Sequence, residues 1–278
     1  AFPSALLPLR ASFGPIYNRL SHLILEQALW QPWRSTLNQW RRGSLDLPKA
    51  PLFGLYPRLY TQKTPVIYGF SPRVVPTPVD WPAWHQVVGY WFLEHSDSWR
   101  PPRALEHFVQ AGAPPIYIGF GSSAGRISKE TITLIQSALQ GAGLRAVLSL
   151  PGEVEPGPVS TGLLFLAQEV SHAWLFPRMA ALVHHGGAGT TATGLRAGVP
   201  ALILPQYADQ FFWGERLAAL GISPQPISLR SLSLEKITLA FRQITEDKQM
   251  SANAHSLQKE ILHEAGTPRA VEIIRQFV

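Results

Sequence analysis

The chain has 278 residues, a formal net charge of +6 and no cysteine. That length allows one large domain or two smaller ones, and the absence of thiols excludes both a disulfide framework and a cysteine-based zinc site. The basic residues are scattered, with the densest pair at Arg41-Arg42, and form no aromatic-interleaved stripe of the kind that grips nucleic acid.

In chain order, residues 1–99 are rich in proline and tryptophan and show little clean periodicity. The spacing of Leu20, Leu23, Ile24, Gln27, Ala28 and Leu37 predicts a helix over 20–40, interrupted at Pro32. Residues 71–82, SPRVVPTPVDWP, read as an extended stretch too broken by proline for a central strand. Residues 93–104 are polar, contain a Pro-Pro pair and read as a linker. Strands and helices then alternate. Strands are expected at 115–119, 145–150, 163–166, 180–183 and 201–204. Helices are expected at 128–139, 190–196 and 211–220, with Ser128 as a cap and Gly141, Gly143, Gly198 and Gly221 as stops, and two or three more helices close the chain. Alternation of this kind implies an α/β fold with a parallel sheet covered on both faces, and ligands in such sheets bind at the carboxyl ends of the strands. No apolar run approaches the roughly 20 residues needed to cross a bilayer, and the opening AFPSALLPL lacks the charged start of a signal peptide.

Three of the expected strand-to-helix turns carry candidate chemistry. The richest is VHHGGAGTTATGLRAG, residues 183–198. A strand feeding glycines and then a helix start presents free N–H groups and the positive end of a helix dipole, both suited to an anion. Gly186, Gly187 and Gly189 would clear space for a phosphate, Thr190 and Thr191 would add hydroxyl donors, and His185 a ring N–H. No Lys-Ser/Thr follows the glycines, so this is not a Walker loop. The second turn is PQYADQ, 205–210. Asp209 and Gln210 pair a carboxylate with an amide, which suits vicinal hydroxyls, although Asp209 is also placed to cap the next helix. The third, GFGSS at 119–123, offers Ser122 to a phosphate or is an ordinary turn. A fourth stretch, FLAQEVSHAWLFP at 165–177, offers backbone groups around Val170 to the edge of a base, with His172 and Trp174 as packing. Trp174 is expected in the core.

These stretches resemble the family 1 glycosyltransferases of the two-domain GT-B fold, and among them the sterol 3-beta-glucosyltransferases. NQWRRGSLDLP, IYGFSPRVVPTPVDWP, GYWFL, PPIYIGFGS, HAWLFPRMAALVHHGGAGTTATGLRAGVP and DQFFWGERLAALG carry the resemblance across nearly the whole chain. It implies a Rossmann-like donor domain over 100–278 and part of an acceptor-side domain over 1–99. It further implies inverting transfer of a hexose, glucose by expectation, from UDP-glucose to a sterol or similar hydrophobic hydroxyl. His185 then matches the histidine on the donor diphosphate, and Gly187, Gly189 and Thr190 its backbone and hydroxyl partners. Ser122 matches the serine near the β-phosphate, Val170 the backbone clamp on uracil, and Asp209 and Gln210 the pair on the glucose hydroxyls. His184 is expected to be structural. No cofactor and no metal is implied, the UDP-sugar being a substrate.

Two departures stand out. Relatives open with a glycine-rich segment and a histidine that deprotonates the acceptor. The expectation is that this segment lies N-terminal to the present sequence, so that this chain lacks the base. Ala173 also stands where an aspartate is usual. The resemblance places the protein in the cytoplasm, and its acceptor class and positive charge allow peripheral membrane contact. Trp30, Trp33, Trp40, Phe53, Tyr56 and Tyr60 either line a lipid cleft or are plain core. A macrolide or glycopeptide glycosyltransferase, a non-catalytic UDP-sugar-binding subunit and a sugar epimerase would fit the same donor block.

Overall fold

The structure is a computed structural model that describes residues 4, 14–54, 56–93, 99–121, 128–149, 157–158, 163–167 and 170–277. Its centre is a six-stranded sheet built from β3 (Ile116–Gly119), β4 (Ala146–Ser149), β5 (Gly157–Pro158), β6 (Leu164–Ala167), β7 (Ala181–His184) and β8 (Ala201–Ile203). Two short strands, β1 (Val66–Tyr68) and β2 (His85–Val87), form a separate parallel pair. The order in the large sheet is β5-β6-β4-β3-β7-β8, parallel throughout except for β5, which runs antiparallel to β6 at the edge.

Alternation along each strand distributes side chains to two cores. On β3, Ile116 and Ile118 face one apolar cluster and Tyr117 the other; on β7, Ala181 and Val183 face the first and Leu182 the second. The first cluster is covered by α4 (Lys129–Ala142) and α8 (Leu234–Glu246), through Ile135, Leu139, Ile237, Phe241 and Ile244. The second is covered by α3 (Arg103–Gln110), α6 (Ala188–Ala197), α7 (Gln210–Ala219) and α9 (Lys248–Leu262), through Leu105, Phe108, Leu195, Leu217 and Leu257. Both faces of the sheet are buried, which is why its strands read as unbroken apolar runs. Helix ends follow local chemistry. The Ser128 hydroxyl accepts from the Thr131 N–H, and Gly143 closes α4 in the left-handed region at φ 65°. The remaining helices are α1 (Pro15–Ser44), α2 (Tyr56–Thr61), α5 (His172–Leu175) and α10 (Gly266–Phe277).

The N-terminal part differs from expectation in two ways. α1 runs unbroken through Pro32. The carbonyl that loses its partner belongs to Ala28, which is exposed, so water replaces the missing bond and the helix continues. The aromatics are not plain core either. Trp33, Trp40, Phe53, Tyr56 and Tyr60 are exposed, and half-buried Trp30 donates its indole N–H to the Leu52 carbonyl at 3.0 Å.

The proline-rich stretch 71–82 is the crossover between β1 and β2, and it is strapped to the C-terminal helices. The Ser71 hydroxyl donates to Glu264 Oε1 at 2.5 Å, the Arg216 guanidinium donates twice to the Val74 carbonyl at 2.9 and 2.6 Å, and Arg73 pairs with Glu260 at 2.8 Å. Gly266 lies so close to the 89–90 backbone that a Cβ there would sit 2.3 Å from the Tyr90 carbonyl oxygen. Among the described residues, no helix is long and apolar enough to cross a membrane.

Candidate functional site

The chain leaves β3 toward β4 and β6 on one side and returns to place β7 and β8 on the other. β3 and β7 are therefore the adjacent strands between which the winding reverses, the place where sheets of this kind open a crevice beyond their carboxyl ends. Those ends are Gly119-Phe120-Gly121 and His184-His185-Gly186-Gly187.

His185 lies at this reversal, directly after β7. It is 9% exposed, and its Nδ1 is buried without a hydrogen-bond partner. Its ring is held between two glycines. A Cβ on Gly121 would lie 2.8 Å from His185 Cε1, and one on Gly187 would lie 2.5 Å from His185 Nε2. The role expected of Gly187 and Gly186, clearing room for a phosphate, is thus only part of the account. Gly187 makes room for the histidine. Gly186, at φ 87°, makes room for α7, since its Cβ would meet the Gln210 carbonyl oxygen and Ile203 Cγ2 at 2.8 Å. Gly189 is different: nothing lies within 4 Å of its Cβ position, and it is exposed with Ala188 at the mouth of α6. Gly187 caps α6 without a side-chain bond, so the amides of the first turn are directed to whatever occupies the mouth. Thr190 is half-buried there, while Thr191 is turned inward with its hydroxyl oxygen buried and unpartnered.

Burial lowers the pKa of His185, and the nearby Asp209 carboxylate opposes that shift. Asp209 precedes Gln210, whose carbonyl oxygen lies 2.8 Å from the Cβ position of Gly186, so the start of α7 lies against this turn. Asp209 does not cap α7: its side chain makes no capping bond, and Oδ2 accepts from the Trp213 indole N–H at 2.9 Å. Gln210 is buried, and its Oε1 accepts from the amides of Gln206 at 2.8 Å and Tyr207 at 3.3 Å, so its carbonyl shapes the loop. The structure therefore brings His185, Gly187, Gly189, Thr190 and Asp209 to one edge, with Gln210 bracing them from behind.

His184 is 1% exposed, and its Nδ1 accepts the Gly186 N–H at 3.1 Å, closing the turn. Its pKa is pushed down to about 3, first by burial and then by His185 and His172. The unfolded chain takes up a proton here near pH 6.5 that the folded chain refuses, so the contribution to stability is complete above pH 6.5 and lost as pH falls toward 3. In His184→Asn, whose carbonyl oxygen still accepts from Gly186, the fall of unfolding free energy between pH 6.5 and 4.5 should be shallower by up to about 1.4 kcal/mol per pH unit. Urea unfolding at four pH values measures it; an unchanged slope would remove His184 as its source.

Beneath the turn lies a pair that the sequence reading missed. The Tyr117 hydroxyl and His172 Nε2 are 3.0 Å apart, and His172 stacks on Phe176 at 4.4 Å. Burial raises the Tyr117 pKa to about 12 and lowers that of His172. Gly119 is required by this pair, because its Cβ would overlap the Tyr117 hydroxyl. Val170 follows β6, half-buried and packed on the apolar cluster. Trp174, expected in the core, is only half-buried. Trp99 lies 5.7 Å from it and the Arg178 guanidinium 4.6 Å over its ring. Trp174 packs against the rim of the apolar cluster whose interior Leu175 and Phe176 occupy. Ser122 lies outside the described residues.

Comparison with known proteins bears on this arrangement. The sequence is 35% identical to the sterol 3-beta-glucosyltransferase of Emericella nidulans over 286 residues, 99% of this chain and 20% of that protein. It is 35% identical to the sterol 3-beta-glucosyltransferase of Arabidopsis thaliana over 279 residues, 99% of this chain and 44% of that one. Along nearly its whole length the chain is similar to one part of these sterol 3-beta-glucosyltransferases. It spans less than half the length of either relative. Residues 162–278 of the chain also match the family of erythromycin biosynthesis protein CIII-like C-terminal domains. Among solved structures, the glycotransferase of kitacinnamycin superposes with a TM-score of 0.70 at 18% identity, over 94% of this chain and 66% of that one. The calicheamicin glycosyltransferase CalG4 superposes with a TM-score of 0.59 at 20% identity, over 77% of this chain and 53% of that one. The fold of the chain is of the GT-B type.

Proposed function

We propose that this chain binds UDP-glucose in the β3–β7 crevice and that its protein transfers the glucose, with inversion, to the hydroxyl of a sterol. The observation that carries the reading is the mouth of α6, where open first-turn amides, the Gly189 space and the His185 ring converge with the Asp209 carboxylate alongside. A diphosphate fits the first three groups and a hexose hydroxyl the fourth. The likeness to sterol 3-beta-glucosyltransferases supports the sterol as acceptor.

As the acceptor hydroxyl gives its proton to a base other than His185 and its oxygen attacks C1, the bond from C1 to the diphosphate oxygen breaks and negative charge gathers on the leaving UDP. The α6 amides and the His185 N–H meet that charge where it develops, already oriented and partly shielded from water. This assigns His185 to the leaving group and not to the acceptor proton. Its lowered pKa suits the role, since the donor is received by a neutral ring that gives one hydrogen bond. Gly187, Thr190 and the Val170 backbone complete the donor contacts in this reading, with Ser122 on the β-phosphate. Membrane contact belongs to the same proposal, because a sterol is delivered from a bilayer.

Calorimetric titration with UDP, UDP-glucose, dTDP and GDP tests the donor. Binding of UDP-glucose and UDP, with the other two at least tenfold weaker, is expected; no heat with any of them overturns the reading. Transfer of radiolabel from UDP-glucose into a sterol-containing lipid extract tests the acceptor for the whole protein. Label appearing only on macrolide aglycones, or only in an isomerised UDP-sugar, would overturn the sterol assignment.

A further inference from the structure

An aspartate at a helix start ordinarily folds its carboxylate back onto the free N–H groups of the first turn. Asp209 is in that position and does otherwise. One turn along α7, the Trp213 indole Nε1 donates to Oδ2 at 2.9 Å. Trp213 is 9% exposed, belongs to the same apolar cluster as Ile203, Leu217 and Ile222, and its neighbour Phe212 meets it edge-on at 5.2 Å. An indole N–H is a donor only, and this one sits on a ring that packing has fixed, so the charge-assisted bond has a direction as well as strength. No described residue hydrogen-bonds Oδ1 of the same carboxylate, which lies near enough to His185 to influence its ionisation.

We propose that Trp213 is a positioning residue for the donor sugar: it holds the Asp209 carboxylate off the α7 N-terminus by one oxygen and so presents the other to the hexose hydroxyls. The inference rests on the donor-site reading above and adds the residue that makes Asp209 a ligand group instead of a cap. Loss of the indole N–H lets the carboxylate fall back onto the helix start, where it is internally satisfied and lost to the sugar. The effect falls on recognition of the hexose and leaves the diphosphate contacts of the α6 mouth intact.

The test is a double-mutant cycle read with two ligands. Wild type, Trp213→Phe, Asp209→Ala and the double variant are each titrated with UDP and with UDP-glucose. Wild type should bind UDP-glucose about tenfold more tightly than UDP, as expected of one hydrogen bond to a charged group. Each single variant should lose that difference with UDP affinity unchanged, and the double variant should be no worse than either single one. Equal weakening of both ligands in Trp213→Phe, or additive losses in the double variant, overturns the inference. So does a wild type that binds UDP but gains nothing from the glucose. A wild type that binds neither ligand overturns the donor-site reading itself. A second measurement leaves the buried ring in place: in Asp209→Asn, the indole proton of 15N-labelled Trp213 should move upfield as its acceptor loses charge. A stationary resonance overturns the inference whatever the fate of the phenylalanine variant.

Discussion

Gly186→Ala should unfold the chain more readily by about 3 kcal/mol and abolish UDP binding in the fraction that remains folded. The new methyl group would enter at φ 87°, where side chains are strained, and would meet the Gln210 carbonyl oxygen and Ile203 Cγ2 at 2.8 Å. The backbone oxygen cannot rotate away. Relief requires the β7–α6 turn and the start of α7 to separate, which pulls the diphosphate donors from the carboxylate beside them. Gly189→Ala is the matched control: its Cβ enters open space, so chemical denaturation should show stability unchanged within about 0.5 kcal/mol. If the two alanine variants denature alike, the turn and α7 are not coupled through Gly186.

His185→Ala should bind UDP-glucose about ten- to a hundredfold more weakly, the loss expected for one hydrogen bond to a charged oxygen in a shielded site. Its stability should suffer far less than its affinity, because the ring is held by the absence of side chains at Gly121 and Gly187 and its Nδ1 has no internal partner to lose. The pH profile has a definite sign. Burial depresses the pKa of the empty site below the ordinary 6.5, so the ring is neutral near pH 7; an arriving anion favours its protonated form, so wild-type affinity should rise as pH falls below about 6.5. The alanine variant should be flat over the same interval. Calorimetry at three pH values decides; parallel profiles would place the titrating group elsewhere.

Most of the large sheet was legible because it is buried on both faces. β3, β4 and β7 are short apolar runs stopped by glycine or a polar turn, and period, burial and punctuation agree there. The α6 turn was legible for the same reason, its glycines and histidines lying contiguous in the chain. The antiparallel edge strand β5 was not, since Gly157–Pro158 has no strand propensity and pairs only because β6 offers an edge. Nor was the unbroken α1, where solvent at Ala28 decides what a proline rule alone would not. The crossing partners escaped altogether. Tyr117 with His172, and Gly121 against His185, are separated along the chain and meet only in the folded structure. Trp213 was missed for a subtler reason: an aspartate four residues before a tryptophan looks like a cap ahead of a core residue, and only the direction of the indole N–H distinguishes the two.

The reversal of winding between β3 and β7 has a consequence for biogenesis. A nascent chain that has emerged only as far as β6 can line up β3, β4 and β6 with neighbours already made, yet it has no crevice, because one wall has not been synthesised. The His185 cradle needs Gly121 from the early half and Gly187 from the late half, so donor recognition appears all at once when β7 docks against the central strand.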